Sequence, residues 1–97
     1  PEKLYKNLFH KDMRVRLFSQ FELVKRGDAS KKLLMKAINQ KDNELARLHG
    51  LWGMGQFARK DSSVCNALLG LLKDGNFQIR AQAVKVIGET KDKKYIS

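Results

Sequence analysis

Hydrophobic residues recur along this chain at helical spacing, and short polar breaks separate the periodic stretches. Leu33, Leu34, Ala37 and Ile38, for example, fall on one face of a helix. The breaks carry Asp, Asn, Gly or Ser, which are typical turn residues. Because no alternating run of strand length appears, the pattern predicts an all-α fold of six helices. The first helix is expected to end near residue 10, the second to span about 13–25, and the third to lie between 30 and 41. The fourth is expected to span about 44–59, the fifth to follow the turn at 61–63, and the sixth to end near 88–90.

Several residues predict where these helices begin and end. Asp12 and Ser30 are expected to cap the second and third helices, since short polar side chains accept the free amides of a first turn. Gly27 is expected to close the second helix. The fourth helix contains three glycines, at positions 50, 53 and 55. Each costs about 1 kcal/mol relative to alanine, so we expect close backbone approach to a neighbouring helix there.

A short motif occurs three times. Arg16, Arg47 and Arg80 are each followed by a small residue three places on and an apolar residue seven on, and they stand 31 and 33 residues apart. Repeats of this period predict a helical solenoid, in which stacked units expose a long surface instead of enclosing a pocket. The expected architecture is an α-solenoid of about three helical hairpins in one domain, with repeats over about 1–27, 28–60 and 61–90 and a tail at 91–97.

Composition narrows the chemistry without naming a ligand. The 97 residues include 20 basic and 10 acidic ones, a net charge of +10, which favours polyanions, acidic proteins or anionic lipid as partners. Cys65 is the single cysteine, so an internal disulfide and a cysteine zinc site are both excluded. We expect no cofactor and no metal site. We also expect no membrane span, since no apolar run is long enough to cross a bilayer. The chain starts at Pro1, and we expect it to be part of a longer protein.

The segment from Asp74 to Gly88 resembles a HEAT repeat of the short bacterial type found in PBS-lyase-like proteins, and the resemblance covers nearly the whole chain. It implies that the arginines and the turn aspartates have a structural role and tie one repeat to the next. The residues of this implied ladder are Asp12 with Arg16, Asp42 with Arg47, and Asp74 with Arg80. An arginine's planar fork suits either a carboxylate or a turn carbonyl, so no ligand is needed to explain it.

A narrower resemblance concerns residues 13–23 and 47–59. They are similar to the HEAT segment of exported bacterial proteins that combine a sugar-dehydrogenase-like propeller with a c-type haem domain. The haem signature is absent because Asn66 follows Cys65, so neither haem nor catalysis is implied. The resemblance implies a spacer or docking segment in a periplasmic or otherwise exported protein. Without it, the sequence leaves the localisation open.

Positions two, five and nine residues after each arginine form three rows of candidate contact residues. Such positions share roughly one helix face, and in HEAT-like arrays the second helices line the concave surface. The rows are Phe18, His49 and Gln82; Phe21, Trp52 and Lys85; and Lys25, Gln56 and Glu89. His49, Trp52 and Gln56 lie at the centre of this predicted groove. The alternative is that Phe18, Phe21 and Trp52 pack between repeats.

The sequence therefore favours a non-catalytic interaction module that binds protein or positions neighbouring domains. The alternative is binding to nucleic-acid phosphates, as in HEAT-like DNA-repair proteins. That function would require one shared face for the cations at 25, 26, 31, 32, 59 and 60. A third hypothesis, a HEAT-like lyase or glycosylase, would need a catalytic acid, and Glu22 and Glu89 are the nearby carboxylates. No motif for catalysis or nucleotide binding accompanies them.

Overall fold

The computed structural model describes residues 2–90, and these residues form helices joined by short turns without any strand. The predicted tail at 91–97 lies outside the described residues. The helices are α1 (Glu2–Asn7), α2 (Met13–Lys25), α3 (Lys31–Asn39), α4 (Glu44–Lys60), a long 3₁₀ helix (Ser62–Lys73) and α5 (Phe77–Glu89), and a single 3₁₀ turn (Asp28–Ser30) leads into α3. The prediction of an all-helical chain with six main helices is confirmed.

The helix boundaries follow local capping chemistry. The Asp12 carboxylate accepts the amide of Arg14 at 2.8 Å, as predicted for the start of α2. Gly27 follows α2 with a φ of +88°, a region that only glycine enters at low cost. The prediction for Ser30 is wrong, because Ser30 precedes α3 as the last residue of the 3₁₀ turn but its buried side chain makes no capping bond.

The fifth predicted helix forms as a 3₁₀ helix, and three of its buried residues recur at every third position. Residues three apart eclipse one another in a 3₁₀ helix, so Cys65, Leu68 and Leu71 share one face, and all three are buried. The remaining leucines, Leu69 and Leu72, are left exposed. The α-helical period predicted for this segment is therefore wrong. The 3₁₀ helix begins after Asp61, whose carboxylate accepts bonds from the amide and the hydroxyl of Ser63.

The chain divides into two compact units, Pro1–Met54 and Gly55–Ser97, with the boundary inside α4. In the first unit α1 packs on α2 and α3. The same unit brings α4 against α3 at Gly50, where an added Cβ would lie 2.7 Å from the Leu34 carbonyl oxygen. The predicted close backbone approach is confirmed there. In the second unit α5 packs on the 3₁₀ helix and, through Val86, on the last part of α4 at Gly55.

Candidate functional site

The three repeated arginines occupy one structural position: each is the fourth residue of its helix, α2, α4 or α5. Each side chain donates to a carbonyl oxygen of the turn or helix end that comes before its own helix. The bonds run from Arg16 Nη1 to His10 and Lys11 (2.8 and 2.9 Å), from Arg47 Nε to Ile38 (2.6 Å), and from Arg80 Nη1 to Asp74 (2.7 Å). Each arginine thus holds its helix against the chain segment that leads into it.

The residue four places before each arginine is the helix cap. Asp12, Asn43 and Asn76 each accept a first-turn amide through the side chain, and each carbonyl oxygen accepts the amide of the arginine. The cap and the arginine therefore keep the same spacing at the start of α2, α4 and α5. The prediction considered only aspartates, so it did not identify the two asparagine caps as equivalent to Asp12.

The aspartates of the implied ladder stand at turn positions. The Asp12 carboxylate binds the exposed Arg14 side chain at 3.1 Å, and this hydrogen bond holds the pKa of Asp12 below its usual range. Asp42 is exposed. The Asp74 carboxylate accepts the Asn76 amide at 2.9 Å. The sequence allowed either a carboxylate or a turn carbonyl as the partner of each arginine. The arginine bonds described above are made to carbonyl oxygens.

A buried polar cluster links α2 and α4. His49 on α4 is 2% exposed, and its Nε2 accepts a bond from Arg16 Nε at 3.2 Å. On the other side of the ring, Nδ1 lies 2.8 Å from Gln20 Oε1. Because an amide oxygen can only accept, Nδ1 carries the proton and donates it. The two neighbours therefore fix one neutral tautomer of His49.

The surroundings of His49 oppose its protonation. Burial lowers the pKa of the imidazole to about 4, and the positive charge of Arg16 acts in the same direction. The ring is neutral, hydrogen-bonded at both nitrogens, and has no carboxylate neighbour among residues 2–90. These are the properties of a structural histidine, because both nitrogens are already engaged and neither is free to act as a base or a metal ligand. The Trp52 ring contacts it edge-on, with 5.1 Å between centroids.

The candidate contact residues differ in their accessibility. Phe18 and Phe21 on α2 are 61% and 53% exposed, and Lys85 on α5 is exposed as well. His49 is buried, so it is unavailable to a partner at the surface. The half-buried candidates are Trp52, Gln56 and Gln82. Of the third row, Lys25 is exposed, and Glu89 forms an ion pair with Arg59 at 3.6 Å.

No family model, curated protein or solved structure matches the chain. Within residues 2–90, no helix is long and apolar enough to cross a membrane. Nor does that part of the chain bring three His, Cys, Asp or Glu side chains together in a group that could hold a metal ion.

One surface feature joins three of the predicted contact residues, Phe18, Phe21 and Lys25, to Arg14, which had not been predicted. Arg14, Phe18, Phe21 and Lys25 follow one another at intervals of four, three and four residues along α2, and all four are exposed. This spacing places them in a single line on the helix. We call it the aromatic stripe: two phenyl rings with a cation at each end. The spacing of these residues can be read from the sequence. Whether the two rings are exposed or buried could not be predicted, because it depends on the fold.

Proposed function

We propose that this chain is a non-catalytic helical repeat module of the HEAT type, with about three hairpins stacked as a solenoid, and that it binds a protein partner through the exposed side of its second helices. The observation that carries the proposal is the repeated position of the arginines, each with its cap four residues before and its carbonyl acceptor in the preceding segment. Equivalent hairpins favour regular stacking.

The contacts between successive second helices also follow one register within each unit. In the first unit His49, two residues after its arginine, lies between Arg16 and Gln20, which are zero and four residues after theirs. In the second unit Val86, six residues after Arg80, lies against Gly55, eight residues after Arg47. The first pair thus shows the second position of the later helix beside the zeroth and fourth positions of the earlier one, and the second pair shows the sixth position beside the eighth. In both pairs the contacting positions differ by two residues, and this common register supports a regular array.

The aromatic stripe is the surface that best suits a partner. Two phenylalanines three residues apart, both more than half exposed, leave apolar area in water that association would remove. Lys25 at one end of the stripe and the net charge of +10 favour an occupant with acidic groups beside its apolar face, while Arg14 at the other end already pairs with Asp12 at 3.1 Å. We infer that the partner presents an amphipathic helix with leucines along its centre and carboxylates at its edges.

A designed peptide tests this function directly. The probe is a helical peptide with leucines on one face and glutamates on either side, and its affinity is measured by titration calorimetry. We expect a Kd on the order of 10–100 μM, a range typical of a single helix face. Phe18→Ala with Phe21→Ala should weaken binding at least tenfold.

The matched control is Phe77→Ala, which removes an equally large ring that is 69% exposed on α5 and lies outside the stripe. It should leave the affinity unchanged. Equal losses in the two variants, or no measurable binding of the peptide by the parent chain, would contradict a protein-binding stripe on α2.

Nucleic-acid binding is the competing function, and the charges favour it less. Two of the required cations already have acidic partners: Lys31 lies 3.1 Å from Asp28, and Arg59 lies 3.6 Å from Glu89. A duplex and a single-stranded oligonucleotide titrated at 50 and 200 mM salt provide the test. Tight binding that falls steeply with salt would replace the protein-binding proposal.

A HEAT-like lyase or glycosylase is the least supported alternative. Of its two possible acids, Glu89 is exposed and forms an ion pair with Arg59 at 3.6 Å, so it lacks the enclosed apolar setting that is typical of a catalytic acid.

A further inference from the structure

The second helices α2, α4 and α5 differ in how one equivalent face is covered. The face consists of the positions one, four and eight residues after the arginine. On α4 these positions are Leu48, Leu51 and Gly55, and all three are buried. On α2 they are half-buried or buried: Leu17, Gln20 and Val24. On α5 they are Ala81, Val84 and Gly88, and all three are exposed.

Both α4 and α5 have a glycine at the eighth position, Gly55 and Gly88, and the two differ in what surrounds them. A Cβ added at Gly55 would lie 3.0 and 3.2 Å from the two methyl groups of Val86, so glycine is needed there to let α5 approach. A Cβ added at Gly88 would meet nothing within 4 Å. Gly88 costs about 1 kcal/mol relative to alanine in a helix, and no contact among the described residues explains its presence.

We propose that the exposed face of α5 is the docking surface for one more hairpin of the same repeat register, following in the same polypeptide. This inference rests on the proposed repeat array. By the register described above, the second helix of that hairpin places its second position beside Arg80 and Val84, and a β-branched residue at its sixth position against Gly88. The contact reproduces the one between Gly55 and Val86.

Charge and shape favour a hairpin like residues 61–90 over a second copy of the whole chain. Two copies would each bring a net charge of +10. Residues 61–90, in contrast, are neutral, because Asp61, Asp74 and Glu89 balance Lys73, Arg80 and Lys85. In a second copy the sixth position of the first hairpin is Glu22, a carboxylate that would replace the β-branched contact with a charge.

An extended chain tests the proposal. A second copy of residues 61–90 is placed directly after Lys93, which keeps the spacing of 33 residues between successive arginines. The extended chain should unfold in one transition, with a Tm higher by about 5 °C or more, because stability in a stacked array grows with each added interface. Amide exchange in α5 should slow at least tenfold.

Gly88→Leu separates docking from other effects. In the parent chain the leucine meets open space, so the Tm should stay the same or rise. In the extended chain the leucine should block the approach and cancel the gain in Tm. Gln78→Leu is the control, since residue 78 is exposed on α5 but lies off the docking face. It should shift both chains equally.

The remaining outcomes overturn the inference. Equal effects of Gly88→Leu in both chains would mean that the face receives no hairpin. A parent chain that dimerises in sedimentation experiments, and becomes monomeric on Gly88→Leu, would assign the face to a second copy. Either result is distinguishable from failure of the proposed function, because the peptide titration probes the aromatic stripe on α2 and uses α5 only for its control variant.

Discussion

The cores of the two units are built differently. In residues 2–54 the core includes six buried polar or charged side chains: Arg16, Ser19, Gln20, Ser30, Arg47 and His49. In residues 55–90 the buried side chains are apolar, and the segment from Ser62 packs as a 3₁₀ helix with one apolar residue every third position. The first unit therefore depends on buried hydrogen bonds as well as on apolar packing, whereas the core of the second depends on the fit of apolar groups. Segments with the same repeated motif therefore differ in whether their cores contain buried polar side chains.

The difference predicts which variants each unit tolerates. Buried polar groups stabilise a fold only while each partner remains, and removal of one partner leaves the others unsatisfied. Apolar groups respond mainly to changes in volume.

Arg16→Met should have the largest effect. The buried guanidinium is the donor for the His10 and Lys11 carbonyls and for His49, so its removal leaves three acceptors unpaired. We expect a loss of about 3–4 kcal/mol in the free energy of unfolding, measured with urea. Arg80→Met, at the equivalent and half-buried position of the second unit, should cost about 1 kcal/mol. Equal losses would remove the distinction between the units.

Acid should destabilise the first unit selectively. His49 binds a proton at its ordinary pKa of about 6.5 in the unfolded chain but only at about 4 in the folded chain. Its contribution is therefore fully present above pH 6.5 and is lost as the pH falls toward 4, by about 2–3 kcal/mol.

Amide exchange between pH 7 and pH 4.5, corrected for intrinsic rates, measures this loss for each unit. Protection should fall in α2 and in α4 before Met54, while α5 keeps its protection. His49→Gln should flatten the pH dependence. A pH profile unchanged by that variant would exclude His49 as its cause.

Gly50→Ala should cost about 2–3 kcal/mol, because the new methyl group would lie 2.7 Å from a backbone oxygen of α3, which cannot rotate away as a side chain can. The matched variant is Gly88→Ala, which should raise the free energy of unfolding by up to about 1 kcal/mol. Thermal unfolding of both variants checks the pair. A stabilising effect of Gly50→Ala would be incompatible with the close contact between α3 and α4.

Ser19→Ala should have the smallest effect. The Ser19 hydroxyl is fully buried and is without a hydrogen-bond partner among the described residues. Alanine avoids that desolvation cost and favours the helix, so we expect a gain of about 1 kcal/mol by urea unfolding. Ser30→Ala, at a second buried serine of the same unit, provides a comparison. A loss exceeding 1 kcal/mol at position 19 would indicate that its hydroxyl has a partner.

Local patterns predicted the helices well, since periodicity and capping are written into neighbouring residues. The 3₁₀ helix was missed because Cys65, Leu68 and Leu71 fit both a three-residue and a 3.6-residue period over so short a segment. At the site, the aromatic rows of α2 were identified, but His49 could not be recognised as buried. Its partners lie 29 and 33 residues away, and only packing brings them together.

The shared register of the second helices is the claim on which the repeat array depends, and one NOESY spectrum of the isotope-labelled chain tests it most directly. The account predicts contacts from the His49 ring to the Gln20 side chain and from the Val86 methyl groups to the Gly55 α-protons. Observation of both would place the two helix pairs in the same register. A spectrum in which Val86 contacts α4 at a position one turn away, or in which His49 contacts neither Arg16 nor Gln20, would contradict it.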